Sequence, residues 1–189
     1  MLEPNKKEHD KSSYRFLEHH NNYSDAKLWR ILWDVKTFAL VGASTVWRRP
    51  SYYAMTYLQH KGFKIIPINP ARVGETVLGE KVYGSLADVP HQLDMVDIFR
   101  TTEEALDITK DVIKNKDARG IKYLWMQLTV RNDFAAELAE EAGLEVIMDR
   151  CPKIEFGRLS GELSWLGVNS GIITAKTLKS PKSWLIEKT

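Results

Sequence analysis

Five short apolar runs, each typical of a buried strand, alternate along the chain with segments whose apolar residues have helical spacing. This alternation predicts an α/β domain with a single Rossmann-like, doubly wound sheet of about five parallel strands and helices on both faces. Right-handed crossovers favour the strand order 3-2-1-4-5. The predicted strands are Phe38–Val41, Phe63–Ile68, Met95–Phe99, Ile121–Leu128 and Leu144–Met148.

Polar and apolar positions also divide the chain into three parts. Residues 1–21 are predominantly polar and predict a mobile N-terminal arm. Residues 22–159 hold the predicted Rossmann-like domain, which begins with a short amphipathic helix capped by Ser24. Residues 160–189 form a C-terminal extension, which contains apolar residues but matches neither a helical nor a strand pattern over a useful length.

The loop after the first predicted strand has the pattern of an anion-binding site. Gly42 breaks the apolar run, and Pro50 suits the first turn of a following helix, whose N-terminus attracts anions. In such sheets, ligands bind beyond the carboxyl ends of the strands, where the strand order reverses beside the first strand. The loop therefore predicts a phosphate-bearing ligand, with candidate donors at Ser44, Thr45, Arg48, Arg49 and Ser51.

Composition and charge narrow the classes of function. The net charge of +2 gives no reason to expect nucleic-acid binding, and no apolar run approaches the ~20 residues needed to cross a bilayer. A single cysteine, Cys151, excludes an internal disulfide and a cysteine-cluster metal site, which favours a reducing, cytoplasmic location. The pair His19-His20 has no third metal ligand nearby in sequence, so we predict a solvated pair and no metal site.

The end of the second predicted strand argues against NAD as the ligand. The first loop has one glycine where the dinucleotide fingerprint has three. No acidic residue that could bind the ribose hydroxyls of NAD occurs between Pro50 and Gly74. Arg72 instead suits a phosphate on the ribose, which leaves NADP or coenzyme A (CoA) as candidates.

Five separated motifs give the chain a resemblance to a known family. Together they are similar to the small stand-alone CoA-binding proteins of Rossmann type, which are related to the CoA-binding domain of the succinyl-CoA synthetase α subunit. The resemblance covers about residues 24–159 and implies CoA bound across the carboxyl edge of the sheet. The motifs are Val41-Gly42-x-Ser44 with Arg49-Pro50-Ser51, Ile66-Pro67-x-Asn69-Pro70, Ser85-Leu-Ala-Asp-Val-Pro90, Trp125-x-Gln127-Leu128 and Met148-Asp149-Arg150-Cys151-Pro152.

The resemblance also implies how the ligand is divided among the loops. The pyrophosphate would lie on the first loop and the following helix start, the adenosine phosphate near the second strand, and adenine and pantetheine beside the third and fourth strands. The implied residues are Gly42, Ala43, Ser44, Arg49 and Ser51 for the pyrophosphate, Asn69 and Arg72 for the adenosine phosphate, Phe99, Arg100 and Thr101 for adenine, and Gln127 and Leu128 for pantetheine.

Catalytic machinery is not evident from the sequence. The synthetase that the chain resembles uses a phosphorylated histidine from a second domain, and here no histidine follows His91. We therefore expect a protein that binds CoA or an acyl-CoA rather than an enzyme, with a protein partner or self-association left open. The alternatives are an NADP-dependent oxidoreductase and a redox protein in which Cys151 forms a mixed disulfide with CoA, although a small packing role for Cys151 is the simpler interpretation.

Overall fold

The computed structural model describes residues 16–161, which contain five α-helices and seven strands. They alternate in chain order, apart from a small hairpin between the second and fifth strands. The elements are α1 (Asp25–Asp34), β1 (Thr37–Val41), α2 (Pro50–His60), β2 (Lys64–Ile68), β3 (Thr76–Val77), β4 (Glu80–Lys81), β5 (Met95–Ile98), α3 (Thr102–Arg119), β6 (Tyr123–Met126), α4 (Asp133–Glu141), β7 (Glu145–Ile147) and α5 (Pro152–Leu159).

The central sheet has five parallel strands in the order β2-β1-β5-β6-β7. The predicted order 3-2-1-4-5 is wrong, because the third long strand, β5, pairs with β1 rather than with β2. Asp94 adds to this pairing: its Oδ2 accepts hydrogen bonds from the backbone N–H groups of Lys36 and Thr37, both at 2.8 Å. The strand order still reverses beside β1, now between β1 and β5.

Helices cover both faces of the sheet, which confirms the predicted α/β class. Successive side chains of β1 point to opposite faces, so Ala39 joins the core beneath α3 and α4, whereas Phe38 and Leu40 join the core beneath α1, α2 and α5. Both faces of the sheet are buried, as is usual for parallel sheets. Fully buried side chains such as Phe38 and Trp125 each contribute about 2–3 kcal/mol by leaving water.

Local signals in the sequence set the helix boundaries. Ser24 caps α1 by accepting a hydrogen bond from the Lys27 backbone N–H at 3.2 Å, as predicted. Thr101 and Glu104 form a reciprocal capping box at the start of α3, and the left-handed Gly120 ends that helix. Gly143 follows α4 with a positive φ of 86°, a conformation that glycine adopts without steric cost.

The end of the predicted N-terminal arm packs on α4. The backbone N–H of Leu17 donates to Asp133 Oδ1 at 3.0 Å, and Arg131 Nη2 donates to the Leu17 carbonyl oxygen at 3.0 Å. The prediction of a solvated histidine pair is wrong for His20, which is buried, whereas His19 is exposed. The rest of the predicted arm, residues 1–15, and residues 162–189 of the predicted extension lie outside the described residues.

Within residues 16–161, none of the helices combines the length and the apolar character needed to span a membrane.

Candidate functional site

Two cavities open at the carboxyl edge of the sheet, where the strand order reverses between β1 and β5. The larger has a volume of about 650 Å³ and the smaller about 480 Å³. Arg100, the second residue after β5, lines both of them. This is the edge at which doubly wound sheets bind their ligands, and the volumes are in the range of ordinary ligand pockets.

Gly42 makes a close approach between the β1 loop and the end of β5. Its φ is +91°, and its N–H donates to the Ile68 carbonyl oxygen at 2.9 Å. A Cβ placed here would overlap the Phe99 carbonyl oxygen and would come within 2.7 Å of Arg100 Cδ. Glycine is therefore required twice over, by the backbone conformation and by the lack of space. Ala43, the next residue, is buried.

Asn69 joins the β2 loop to the β1 loop. Its Nδ2 donates to the Ala43 carbonyl oxygen at 2.7 Å, and its Oδ1 accepts from the Ala71 backbone N–H at 3.0 Å. Ser44 is used in a similar way within its own loop, since its hydroxyl oxygen accepts from the Val46 backbone N–H at 3.1 Å. Both side chains hold the loops that border the smaller cavity in a fixed shape.

The predicted cationic residues differ in their relation to the cavities. Arg48 lines the larger cavity, whereas Arg49 is exposed at the N-cap of α2 and lines neither of the two. Arg72 also lines neither, and its Nη1 forms an ion pair with Glu75 Oε1 at 3.2 Å. Ser51 is buried in the first turn of α2, which contains no acidic residue. No carboxylate in the first turn therefore opposes the positive end of the α2 dipole.

The larger cavity brings together residues from four different connections. Phe99, Gln127 and Leu128, all named from the sequence, lie in its wall, and so does Cys151 at the start of α5. Residues that were not predicted to contact a ligand complete the wall. Several of them lie in loops at the carboxyl ends of strands and could have been predicted from that position. The residues that complete the wall are Pro50, Tyr53, Ala54, Thr129, Val130, Lys153 and Ile154.

A buried carboxyl group, Asp97, fixes the side chain of Gln127. Asp97 is fully buried in the middle of β5, and Gln127 Nε2 lies 3.0 Å from both of its carboxylate oxygens. Desolvation raises the pKa of Asp97 to about 8, and the hydrogen bond from Gln127 opposes this shift. The sequence signal was a single acid within the apolar run Met95–Phe99, and our prediction did not use it. Asp97 thereby orients an amide that lies in the cavity wall.

Cys151 has the environment of a neutral thiol. It is buried, and burial raises the pKa of its thiol above the ordinary value, with backbone hydrogen bonds from Ile154 and Lys153 opposing the shift. A raised pKa reduces the fraction of the nucleophilic thiolate at neutral pH. The thiol nevertheless lines the larger cavity, so a ligand bound there is within reach of it.

Two residues with a strained backbone lie in the loops after β6 and β7, and one of them, Thr129, lines this cavity. Thr129 and Asp149 have positive φ values of 68° and 52°, which non-glycine residues rarely adopt. The Thr129 backbone N–H donates to Asp149 Oδ1 at 2.7 Å, and the Asp149 N–H donates to the Val130 carbonyl oxygen at 3.1 Å. These bonds join the loops after β6 and β7 into one rim. Strain that surrounding bonds hold in place is common at functional sites.

The smaller cavity lies between the loops after β1 and β2 and the first turns of α3. Gly42 and the segment Asn69–Ala71 form one side, and Arg100, Glu104, Asp107 and Ile108 form the other. Arg100 is held there by Glu104, whose Oε1 accepts from Arg100 Nε at 3.1 Å. The carboxylates on one side disfavour a phosphate within this cavity, whereas apolar side chains in its wall, such as those of Val41 and Ile108, suit an uncharged ring.

Comparison with known proteins identifies relatives of nearly the same domain. An uncharacterised Bacillus subtilis (strain 168) protein, YneT, is 32% identical over 133 residues, which cover 70% of this chain and 94% of that protein. A hypothetical protein of solved structure from Pyrococcus horikoshii OT3 is 34% identical, with a TM-score of 0.67, and covers 74% of this chain and 94% of its own. A Thermus thermophilus structure is 32% identical with a TM-score of 0.67, covering 72% and 99% respectively.

The sequence profile described as a CoA binding domain matches residues 36–157. The match runs from the residue before β1 into α5 and therefore includes both cavities and the sheet edge between them. It spans well over half of the chain. The chain therefore belongs to the CoA-binding domain family.

Proposed function

We propose that this protein binds CoA or an acyl-CoA across the carboxyl edge of its sheet. One observation carries the proposal: two cavities lie on either side of Arg100, and the Gly42 loop and the α2 N-terminus border them. CoA has three chemically distinct parts, which are adenosine, a pyrophosphate and pantetheine. Two cavities beside an anion-attracting helix start are suited to a ligand of that kind.

The pyrophosphate is proposed to lie at the α2 N-terminus. The first turn of α2 contains no acidic residue, so no carboxylate in that turn opposes the attraction of the helix dipole for an anion. Arg48 lines the adjoining cavity and Arg49 is exposed one residue before the helix, so either guanidinium can donate charge-assisted hydrogen bonds. The proposed pyrophosphate position is also bordered by the uncharged residues Ala43, Ser44 and Ser51, which contribute to its shape and not to its charge.

Adenosine and pantetheine are proposed to occupy the smaller and the larger cavity respectively. The smaller cavity is bordered by Asn69 and Arg100, and its walls suit the planar adenine. Arg72 lies one turn beyond Asn69 and can exchange its ion pair with Glu75 for the 3′-phosphate of CoA. Gln127 and Leu128 line the larger cavity, and the amide of Gln127 suits the amide groups of pantetheine.

A binding role is favoured over a catalytic one. Of the residues that line the larger cavity, the titratable ones are Arg48, Tyr53, Arg100, Cys151 and Lys153. These include no histidine or carboxylate, so general acid–base catalysis at neutral pH has no obvious base among them. The proposal therefore describes a small-molecule binding protein of the cytoplasm, such as a carrier or a sensor of acyl-CoA.

A thermal-shift panel tests the ligand. We expect CoA to raise the melting temperature, NAD to leave it unchanged, and dephospho-CoA, which lacks the 3′-phosphate, to raise it less than CoA does. A ligand at 100 times its Kd stabilises by about 2.7 kcal/mol, which is roughly 5–10 °C for a chain of this size. Stabilisation by NADP alone would instead favour the oxidoreductase alternative, and equal stabilisation by dephospho-CoA would remove Arg72 from the site.

A second candidate function is supported by the position of Cys151 in the wall of the larger cavity. In this role the Cys151 thiolate attacks the disulfide of oxidised CoA, forms a mixed disulfide with one CoA and releases the other as its thiolate. Mass spectrometry after treatment with CoA disulfide is expected to show one CoA adduct, absent from Cys151→Ser. Because burial raises the thiol pKa, adduct formation is expected to accelerate as the pH rises from 7 to 9. An unmodified thiol at pH 9 excludes this role.

A further inference from the structure

Two histidines and a glutamate from distant parts of the sequence converge on the outer surface of α4. His19 and His20 end the segment that precedes α1, and Glu140 lies in the last turn of α4. None of the three lines either cavity at the carboxyl edge. The segment reaches Glu140 because Leu17 is anchored to Asp133 and Arg131, at the other end of the same helix.

The ligand-type atoms of this cluster have the separation found around one metal ion. Glu140 Oε1 lies 3.1 Å from His19 Nε2 and 3.2 Å from His20 Nε2. All three donor atoms lie within 4.8 Å of one another. Ligands at 2.0–2.1 Å from a tetrahedral Zn²⁺ ion are about 3.3 Å apart, so little movement is needed to bring them to bonding distance.

His20 supplies an independent indication, because its buried Nε2 makes no hydrogen bond. The side chain has 0% exposure, and Nε2, although it is near Glu140, makes no hydrogen bond of acceptable geometry. Buried polar atoms without a partner are rare and call for an explanation. A cation placed between His20 Nε2, His19 Nε2 and Glu140 would satisfy all of these groups at once.

The surroundings of His20 hold its ring in the orientation that a metal ligand needs. Its Nδ1 lies 2.7 Å from the Tyr23 hydroxyl, which also accepts a hydrogen bond from the Met148 backbone N–H at 2.8 Å. A metal-bound histidine keeps the proton on its other nitrogen, and the Tyr23 oxygen can accept the hydrogen bond from that Nδ1–H. The nearby positive charge of Arg131 is paired with Asp133 at 2.8 Å and does not face the cluster unopposed.

We propose that His19, His20 and Glu140 form a Zn²⁺ site that fastens the N-terminal segment to α4. Two imidazoles and one carboxylate are borderline donors of the kind Zn²⁺ prefers, and three protein ligands leave one position for water. That position faces solvent, since the side chains of His19 and Glu140 are 53% and 33% exposed. The ion joins residues 19 and 140, which are otherwise joined by one exposed ion pair.

Calorimetric titration of the chelator-treated, full-length protein with ZnCl₂ tests this site. We expect one Zn²⁺ per chain with micromolar or tighter affinity, and a melting temperature raised by several degrees when Zn²⁺ is in excess. His19→Ala and Glu140→Gln change exposed or half-exposed side chains, so both variants are expected to fold. Each is expected to weaken Zn²⁺ binding at least tenfold and to abolish the rise in melting temperature.

Two histidines elsewhere in the chain serve as matched controls. His91→Ala alters an exposed histidine outside the cluster and is expected to leave Zn²⁺ binding unchanged. His9→Ala tests a contribution from a histidine outside the described residues and is likewise expected to leave it unchanged. No binding at 100 μM Zn²⁺, or binding that survives His19→Ala and Glu140→Gln, would overturn the proposal; loss of binding in His9→Ala would do so as well.

Discussion

At the scale of single residues, polar side chains of this site serve mainly to position the backbone and one another. Asn69 and Ser44 use their hydrogen-bonding atoms on the loops, and Asp97 uses its carboxyl group on Gln127. Arg48 and Lys153 leave their charge beside the larger cavity. The sequence shows which side chains are polar, but only the structure shows whether their hydrogen-bonding atoms already have partners within the protein.

Asp97 gives a prediction about pH and stability. Its native pKa is raised to about 8 from 3.8, so the folded state holds a proton that the unfolded state has lost between these values. The contribution of this group to stability is therefore complete below pH 3.8 and is lost as the pH rises to 8, by up to about 1.4 kcal/mol per pH unit. Asp97→Asn, which is neutral at every pH, is expected to lack this loss.

Melting temperatures of the wild type and Asp97→Asn between pH 5 and pH 8 provide the measurement. We expect the difference between the melting temperature of the variant and that of the wild type to increase by several degrees in favour of the variant as the pH rises from 5 to 8. Asp117→Asn, at a carboxylate with 89% exposure, is the control and is expected to show no such trend. A constant difference between Asp97→Asn and the wild type across the range would show that Asp97 is ionised in the folded protein.

At the scale of elements, the start of α2 is the feature that sequence and structure describe in the same way. Pro50 occupies the first turn, as predicted from its missing N–H, and the helix ends before Gly62. The first turn contains no acidic side chain. What could not be predicted was which arginine faces a cavity, because the direction of a side chain before a helix depends on how the loop packs against its neighbours.

Arg49→Ala tests the contribution of this helix start to CoA binding. The loss of one charge-assisted hydrogen bond costs on the order of 1.5–3 kcal/mol, so CoA affinity measured by calorimetry is expected to fall tenfold or more. The melting temperature without ligand is expected to be unchanged, since Arg49 is exposed and its side chain does not cap α2.

Arg48→Ala and Lys110→Ala are the matched comparisons. Arg48 lines the larger cavity, and its removal is expected to weaken CoA binding to a similar extent. Lys110 is exposed on α3 and pairs with Asp107, so it is expected to have little effect. Full CoA affinity in Arg49→Ala together with a loss in Arg48→Ala would transfer the phosphate contact from Arg49 to Arg48.

At the scale of the whole molecule, the arrangement of strands is what creates the site. Because β5 lies beside β1, the loop after β5 meets Gly42 closely enough to exclude any Cβ, and Arg100 lies between the two cavities. In the predicted order 3-2-1-4-5, Phe99 and Arg100 would have ended two strands away from this loop. Both orders reverse beside the first strand, so the proposed site lies at the same edge of the sheet in either order.

The apolar pattern by itself determined the class of fold, the approximate strands and helices, and the edge of the sheet at which we propose that a ligand binds. The strands and helices follow from periodicity among neighbouring residues, and the position of the edge follows from the general geometry of parallel sheets. Strand order was decided only by tertiary structure, because all five strands are predominantly apolar on both faces and the pattern cannot distinguish one central strand from another. The backbone hydrogen bonds that Lys36 and Thr37 donate to Asp94 add to the pairing of β1 with β5. The meeting of His19 and His20 with Glu140 likewise depends on contacts between residues more than 100 positions apart, which no local pattern records.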